Sequence, residues 1–240
     1  MTFNQLKLLA RAMMPGMKTD VLPDTSTSTQ AGLDLVLNEG VKDISDFTAC
    51  LPTNKKFNAV ASQGTAANPY IISSVIGNFL TMGGGGFLWN EGTATVPQWK
   101  KLNPRTIEYL DENRSNWKEV ADGTPEDYAI DGDNLYVIPA PVSSLTEGLW
   151  LFYSKSPTTM VNANVYPFSG TTTELTHLSK FDMAIIYYAR AKISPMLNKE
   201  TGENLSFVEY KNERQEKFNL LRRRGDLAQV ATFQGPLIRP

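Results

Sequence analysis

Apolar positions recur along this chain in different rhythms, and the changes of rhythm divide it. At the start, Phe3, Leu6, Leu9, Ala10 and Met13 fall on one face of a helix. Thr2 and Gln5 stand at capping-box spacing, and Pro15-Gly16 marks the stop. Residues 17–30 read as a linker. Pro23, Asp24 and the run Thr25-Ser26-Thr27-Ser28-Thr29 hold no regular structure without outside partners. A second helix fits 30–47, where Leu33, Val36, Leu37, Val41, Ile44 and Phe47 recur at three- and four-residue steps. Gly32 and Gly40 each weaken it by about 1 kcal/mol relative to alanine, so this helix depends on packing.

From Leu51 to Tyr153 the helical period disappears. Short apolar or aromatic runs separated by turn residues predict strands at 57–62, 70–80, 87–89, 106–110, 128–130, 135–138 and 149–153. Asp131-Gly132-Asp133-Asn134 signals a tight hairpin between two of them. Pro139-Ala140-Pro141 ends the next run, because proline donates no ladder hydrogen bond. Past Ser169-Gly170 the helical rhythm returns. Leu178, Phe181, Ile185, Tyr188 and Ala189 line one face of a helix over 177–194, ended by Pro195. Phe207, Val208, Phe218 and Leu221 belong to a longer one over 203–224, closed by Arg222-Arg223-Arg224-Gly225.

The pattern therefore predicts an α+β fold: a helical core with an inserted antiparallel β domain and an extended C-terminal tail. The boundaries read as N-terminal helices and linker over 1–50, the β insertion over 51–160, the C-terminal helical part of the core over 161–225 and the tail over 226–240. No internal repeat of fixed period is present.

Composition narrows the function. The chain has 240 residues, 41% hydrophobic and 20% charged, in the range of a folded globular protein. Its longest apolar runs, Met183–Ala189 and Gly148–Tyr153, fall far short of the ~20 residues of a spanning helix, so no membrane partner is expected. Lys7 and Arg11 interrupt the first helix, which reads as structure rather than as a secretory leader. A net charge of −2 gives no whole-protein footprint for nucleic acid. One cysteine, Cys50, excludes an internal disulfide and multi-cysteine zinc patterns, and one histidine, His177, excludes two-histidine metal chemistry. No cofactor is expected.

Local runs carry the remaining candidate chemistry. Gly83-Gly84-Gly85-Gly86 lacks the Lys-Ser/Thr of a phosphate loop and reads as a flexible hairpin tip, or as a loop that orders against a partner. Residues 108–133 hold nine acids against two bases, a net −7, and residues 190–224 hold nine bases against five acids, a net +4. A pair among Glu108, Asp111, Glu112 and Glu119 would suit a glycoside hydrolase, and clustered Asp with Gly132 calcium, though without the rest of a twelve-residue loop; a solvated acidic surface explains the run better than either. The basic helix reads as a solvated face or as a surface toward DNA or an acidic neighbour through Arg222, Arg223 and Arg224. An acidic β block and a basic helical block in one chain suit head-to-tail contact between copies. His177 reads as a surface or capping residue, and no nucleophile elbow or triad is visible. Trp89, Trp99, Trp117 and Trp150 are core anchors or a stacking platform for sugars or bases.

Three segments in order carry a resemblance. They are Gly123-Thr124-Pro125-Glu126-Asp127-Tyr128, then Gly132 through Leu135 to Pro139-Ala140-Pro141, then Gly148–Tyr153 with Pro157. They are followed by Phe181–Ala191 and the charged stretch 203–224. Together they resemble the β segment and following helices of the head-to-tail adaptor (connector) proteins of tailed bacteriophages. The similarity spans roughly 30–235 in order of elements and is specific in about 120–190. The N-terminal helix, the Thr/Ser linker and the four-glycine run depart from that family's pattern.

The resemblance implies a structural, non-enzymatic virion protein. It would form a ring, usually of twelve copies, in the neck between the portal protein and the downstream tail or neck proteins, around the packaged DNA, after assembly in the host cytoplasm. It also implies that the tail reaches the portal or a neighbouring subunit through Val230, Phe233, Leu237, Ile238 and Arg239. The other expectations to weigh are a tail-associated carbohydrate-binding module and a glycoside hydrolase.

Overall fold

Thr2 starts the first helix as its spacing predicts. In the computed structural model, which describes residues 1–14, 22–27, 32–114, 116–119, 121–198 and 205–223, α1 spans Phe3–Met13. The Thr2 hydroxyl accepts from the Gln5 amide, and the Gln5 side chain accepts from the Thr2 amide at 2.8 Å. The next helix, α2 (Leu33–Thr48), begins at Gly32, which offers no side-chain cap. The preceding stretch supplies an acceptor instead: the Pro23 carbonyl accepts from the Leu33 amide at 2.8 Å. Asp34 Oδ1 accepts from the Ser26 amide and hydroxyl at 2.8 and 2.6 Å, and Ser26 Oγ accepts from the Gly32 amide at 2.9 Å. The described linker residues 22–27 are thus held on the N-terminus of α2, the outside partner their composition requires.

The chain divides into two units, Met1–Leu51 with the described part of Ser156–Ala228, and Pro52–Lys155. The first is helical. After an irregular stretch and a 3₁₀ turn at Ser179–Phe181, α5 (Asp182–Asn198) and α6 (Leu205–Arg223) pack together, and α5 also packs on α2 and α1. Leu33, Leu37 and Ile44 of α2 and Ile185, Ile186 and Ala189 of α5 are buried. Gly40 lets the helices approach, since a Cβ there would lie 3.1 Å from the Tyr188 ring. Asn38 receives the amide of Met160 at 2.8 Å and donates to its carbonyl at 3.1 Å, fastening the irregular stretch to α2.

The second unit is a sandwich. Its strands are β1 (Pro52–Ala59), β2 (Tyr70–Ile71), β3 (Phe79–Asn90), β4 (Trp99–Lys101), β5 (Asn103–Arg105), β6 (Asp127–Asp131), β7 (Asn134–Ile138) and β8 (Leu145–Lys155). Two short helices, α3 (Ile72–Val75) and α4 (Ile107–Asn113), interrupt them. The first sheet has the order β1-β8-β3-β4 and the second β2-β7-β6-β5. All pairs are antiparallel except β5 with β6. Side chains alternate across each strand, so Phe87, Trp89, Leu149, Leu151 and Tyr153 of the first sheet meet Tyr70, Tyr128, Leu135 and Val137 of the second in one core. Ala129, Tyr136 and Ile138 point the other way and are covered by Leu110 of α4 and by Trp117. The layers are first sheet, second sheet, then α4.

Several elements differ from the pattern's prediction. Residues 106–110 form the start of α4, not a strand: Thr106 caps it, its hydroxyl accepting from the Tyr109 amide, and Glu108 sits in the first turn. The run 70–80 is not one strand but β2, α3 and the start of β3. Gly83–Gly86 lie inside β3 rather than at a hairpin tip. The helix expected from His177 begins at Asp182, after the 3₁₀ turn, and runs past Pro195 to Asn198. The Asp131–Asn134 hairpin is present, with a two-residue turn and positive φ at Gly132. The tail and its named residues, with Arg224, lie outside the described residues.

Candidate interaction surfaces

The outer side of the first sheet is lined by residues that alternate with the core. On β8, Trp150 and Phe152 stand between the buried Leu149, Leu151 and Tyr153. Across the ladder, Trp150 faces Lys56 of β1 on one side and Leu88 of β3 on the other, and Leu88 faces Lys101 of β4. Trp99 reaches over β3 to set its ring edge-on to Trp150, with centroids 5.1 Å apart, and Trp150 lies 4.7 Å from Phe152. The Lys56 ammonium sits 5.3 Å from the Trp99 ring and 5.2 Å from Trp150, and the Trp150 indole donates to Asn54 at 3.0 Å. These partners fix the rings while leaving Trp99, Trp150 and Phe152 partly accessible. The four tryptophans therefore separate: Trp89 and Trp117 are core residues, and Trp99 and Trp150 form a surface.

The glycine run borders this surface. Between Met82, opposite Tyr153, and Phe87, opposite Leu151, β3 advances five residues against two on β8. The excess bulges over Phe152. A Cβ at Gly85 would fall 2.4 Å from the Phe152 ring, and Gly86 holds φ +73°, where the Lys101 side chain closes in. Gly85 is needed because backbone crosses an aromatic ring at contact distance, and Gly86 because its backbone is left-handed.

The opposite side of the β unit is acidic. Glu108, Asp111 and Glu112 are exposed on α4, and Glu119 is exposed beyond it. Glu108, Glu112 and Glu119 form no ion pair with a described residue. Asp111 accepts from the Trp117 indole at 2.8 Å and pairs with Lys118 at 3.1 Å, and both hold its carboxyl below the usual range. A glycosidase general acid needs a shift in the other direction. The exception in this acidic run is Asp127, buried at 1% exposure between Arg105 at 3.1 Å and Arg114 at 2.9 Å.

The basic helical block is largely engaged within its own unit. Arg214 donates to Asp43 of α2 at 2.5 Å, and its guanidinium lies 4.0 Å from the Phe47 ring. Tyr210 donates to the same carboxylate and packs edge-on to Tyr188 at 5.2 Å. Burial, then Asp43, pushes the Tyr210 phenol well above its ordinary value. Arg190 pairs with Glu209 at 3.5 Å and Lys217 with Glu213 at 3.3 Å. Of the three C-terminal arginines, Arg222 is exposed, its guanidinium 5.8 Å from the Phe218 ring, and Arg223 closes α6. His177 is an exposed turn residue at a hollow of about 740 Å³, which Asp182, Glu213 and Lys217 also line. Sequence spacing gave no warning of the Asp43–Tyr210–Arg214 group, because its members lie 167 and 171 positions apart.

Among the described residues, no group of three or more His, Cys, Asp or Glu is placed to hold a metal ion, and no helix is long and apolar enough to cross a membrane. Compared with known proteins, the sequence matches no family model and no curated protein.

Proposed function

We propose that this chain is a structural head-to-tail adaptor of a tailed bacteriophage. In this reading it forms a ring, of twelve copies by the family resemblance, in the virion neck between portal and tail. The DNA channel passes through it, it assembles in host cytoplasm, and it makes no bonds. One observation carries the reading: the residues of the resemblance that fall in the β unit take structural positions in that unit's own fold. Gly123 bridges Pro141, its amide donating to the Ala140 carbonyl at 2.8 Å, and a Cβ there would press on Pro139 at 3.2 Å. Tyr128 and Tyr153 enter the same core between the sheets. Gly148 passes Ala59 where a Cβ would stand 2.8 Å away. After β8 come α5 and α6, in the order the resemblance implies. The motif is thus a folding motif, which supports a shared architecture, and the role is carried over by analogy of fold alone.

Native mass spectrometry and cryo-electron microscopy of the particle test this. The expected result is a closed ring of this chain beneath the portal, and a protomer absent from the neck would reject the reading. A second reading, a tail-associated carbohydrate-binding module, is favoured by the accessible Trp99–Trp150 pair. Glycan-array binding that is lost in Trp150→Ser would decide for it.

A further inference from the structure

The β unit has two unlike ends. At one, the aromatic face of the first sheet carries Lys56, which pairs with Glu147 at 3.6 Å, and Lys101, which meets no carboxylate among the described residues, only the Gly84 carbonyl at 3.5 Å. At the other, two layers away, α4 and the turn after it expose Glu108, Glu112 and Glu119 without a described cation. We infer that these two ends recognise each other between copies: the aromatic face of the first sheet in one protomer packs head to tail on the α4 layer of the next. This deepens the adaptor reading and rests on it.

Three considerations select a second copy of this chain as the occupant. First, half-accessible rings at the centre of a polar rim are the composition of an interface core. Second, the charges that rim it are complemented by an unsatisfied set on the same unit, so any two copies carry both halves. Third, the halves are on opposite sides, so the contact is heterologous and propagates, and it closes into a ring or continues as a filament. Size sets its strength. Three strand spacings of about 4.8 Å by roughly eight residues at about 3.4 Å give on the order of 400 Å², about half of one partner's share in a standard interface. This contact alone is weak, and it forms when other parts of the ring hold copies side by side.

Cysteine cross-linking tests the geometry directly, in particles and in concentrated protein. The exposed residues give Lys101→Cys, Glu112→Cys and the double variant. The expected result with a short bismaleimide is a ladder of covalent multimers from the double variant and only monomer from either single one. Dimers from a single variant mean like faces meet, and would overturn the inference. A closed ring seen by mass spectrometry without a ladder also overturns it while leaving the adaptor reading intact. Loss of any ring removes both. As a second measurement, Lys56→Glu/Lys101→Glu and Glu108→Lys/Glu112→Lys are each expected to weaken association at least tenfold. Mixed one to one, they restore it, because each then presents the end the other needs. Failure of the mixture to recover, with both variants folded by circular dichroism, counts against the inference. So does binding of a labelled single-stranded oligonucleotide that Trp150→Ser abolishes, which would assign the face to nucleic acid.

Discussion

At the scale of single residues, two buried groups have measurable signatures. Burial pushes the Cys50 thiol from its ordinary 9.0 up to about 11, against weaker hydrogen bonds from Thr48 and Ser45 that lower it. The native thiolate fraction near neutral pH is therefore about a hundredfold below that of a free cysteine. Ellman's reagent at pH 8 should find no reactive thiol until denaturant is added. The linkage has a definite sign: the unfolded chain loses this proton near pH 9 and the native one only near 11, so stability falls as pH rises between them, by an amount on the order of 2 kcal/mol. Urea midpoints at pH 8.5 and 10.5 check it, and Cys50→Ala should lose this contribution while the smaller one from the buried tyrosines remains. Tyr128 is the second case. Its hydroxyl is buried without a hydrogen-bond partner among the described residues, and burial pushes the phenol to about 12. Tyr128→Phe removes a desolvated donor and keeps the ring against Phe87, so it should leave stability unchanged or raise it by about 1 kcal/mol in urea denaturation.

At the scale of elements, the buried carboxylate of Asp127 ties β6 to β5 through Arg105 and to the C-terminus of α4 through Arg114. The arginines are 32% and 37% exposed and Asp127 1%, so the two sides of the ion group are unequal. Asp127→Asn leaves cations that water can reach. Arg105→Ala/Arg114→Ala leaves a carboxylate that it cannot, and should cost about 3–5 kcal/mol, well above the asparagine variant, in equilibrium unfolding. Which elements the sequence disclosed follows from how local their causes are. The Thr2 cap, the Gly132 turn and the alternation of β8, which places Trp150 opposite Leu149 and Leu151, are written within a few residues. The helix at 107–113 was hidden behind Thr106, Ile107 and Tyr109, residues that favour strands; its one local sign was Thr106 followed by Glu108. The glycine run misleads because the ring it crosses, Phe152, comes from a strand some 65 residues on, and Trp99 reaches Trp150 only across an intervening strand. The outward position of Trp150 follows from that alternation, but no spacing could reveal that Trp99 joins it.

At the scale of the whole molecule, the β unit has its own core and both of its ends on paired strands. Expressed alone, residues 52–155 should fold, with a single cooperative thermal transition and strand-type circular dichroism. Loss of cooperativity would mean that its core draws on the helical unit.

The pairing of Pro52 with Ser154 at the mouth of the insertion has a mechanical consequence. The chain enters and leaves through adjacent antiparallel strands, so a pull transmitted along the backbone separates β1 from β8 like a zipper, stressing one rung at a time instead of sharing the load across the ladder. Under tension in an optical trap, the sandwich should open at modest force from this seam inward, and a cross-link joining positions 52 and 154 should raise that force sharply.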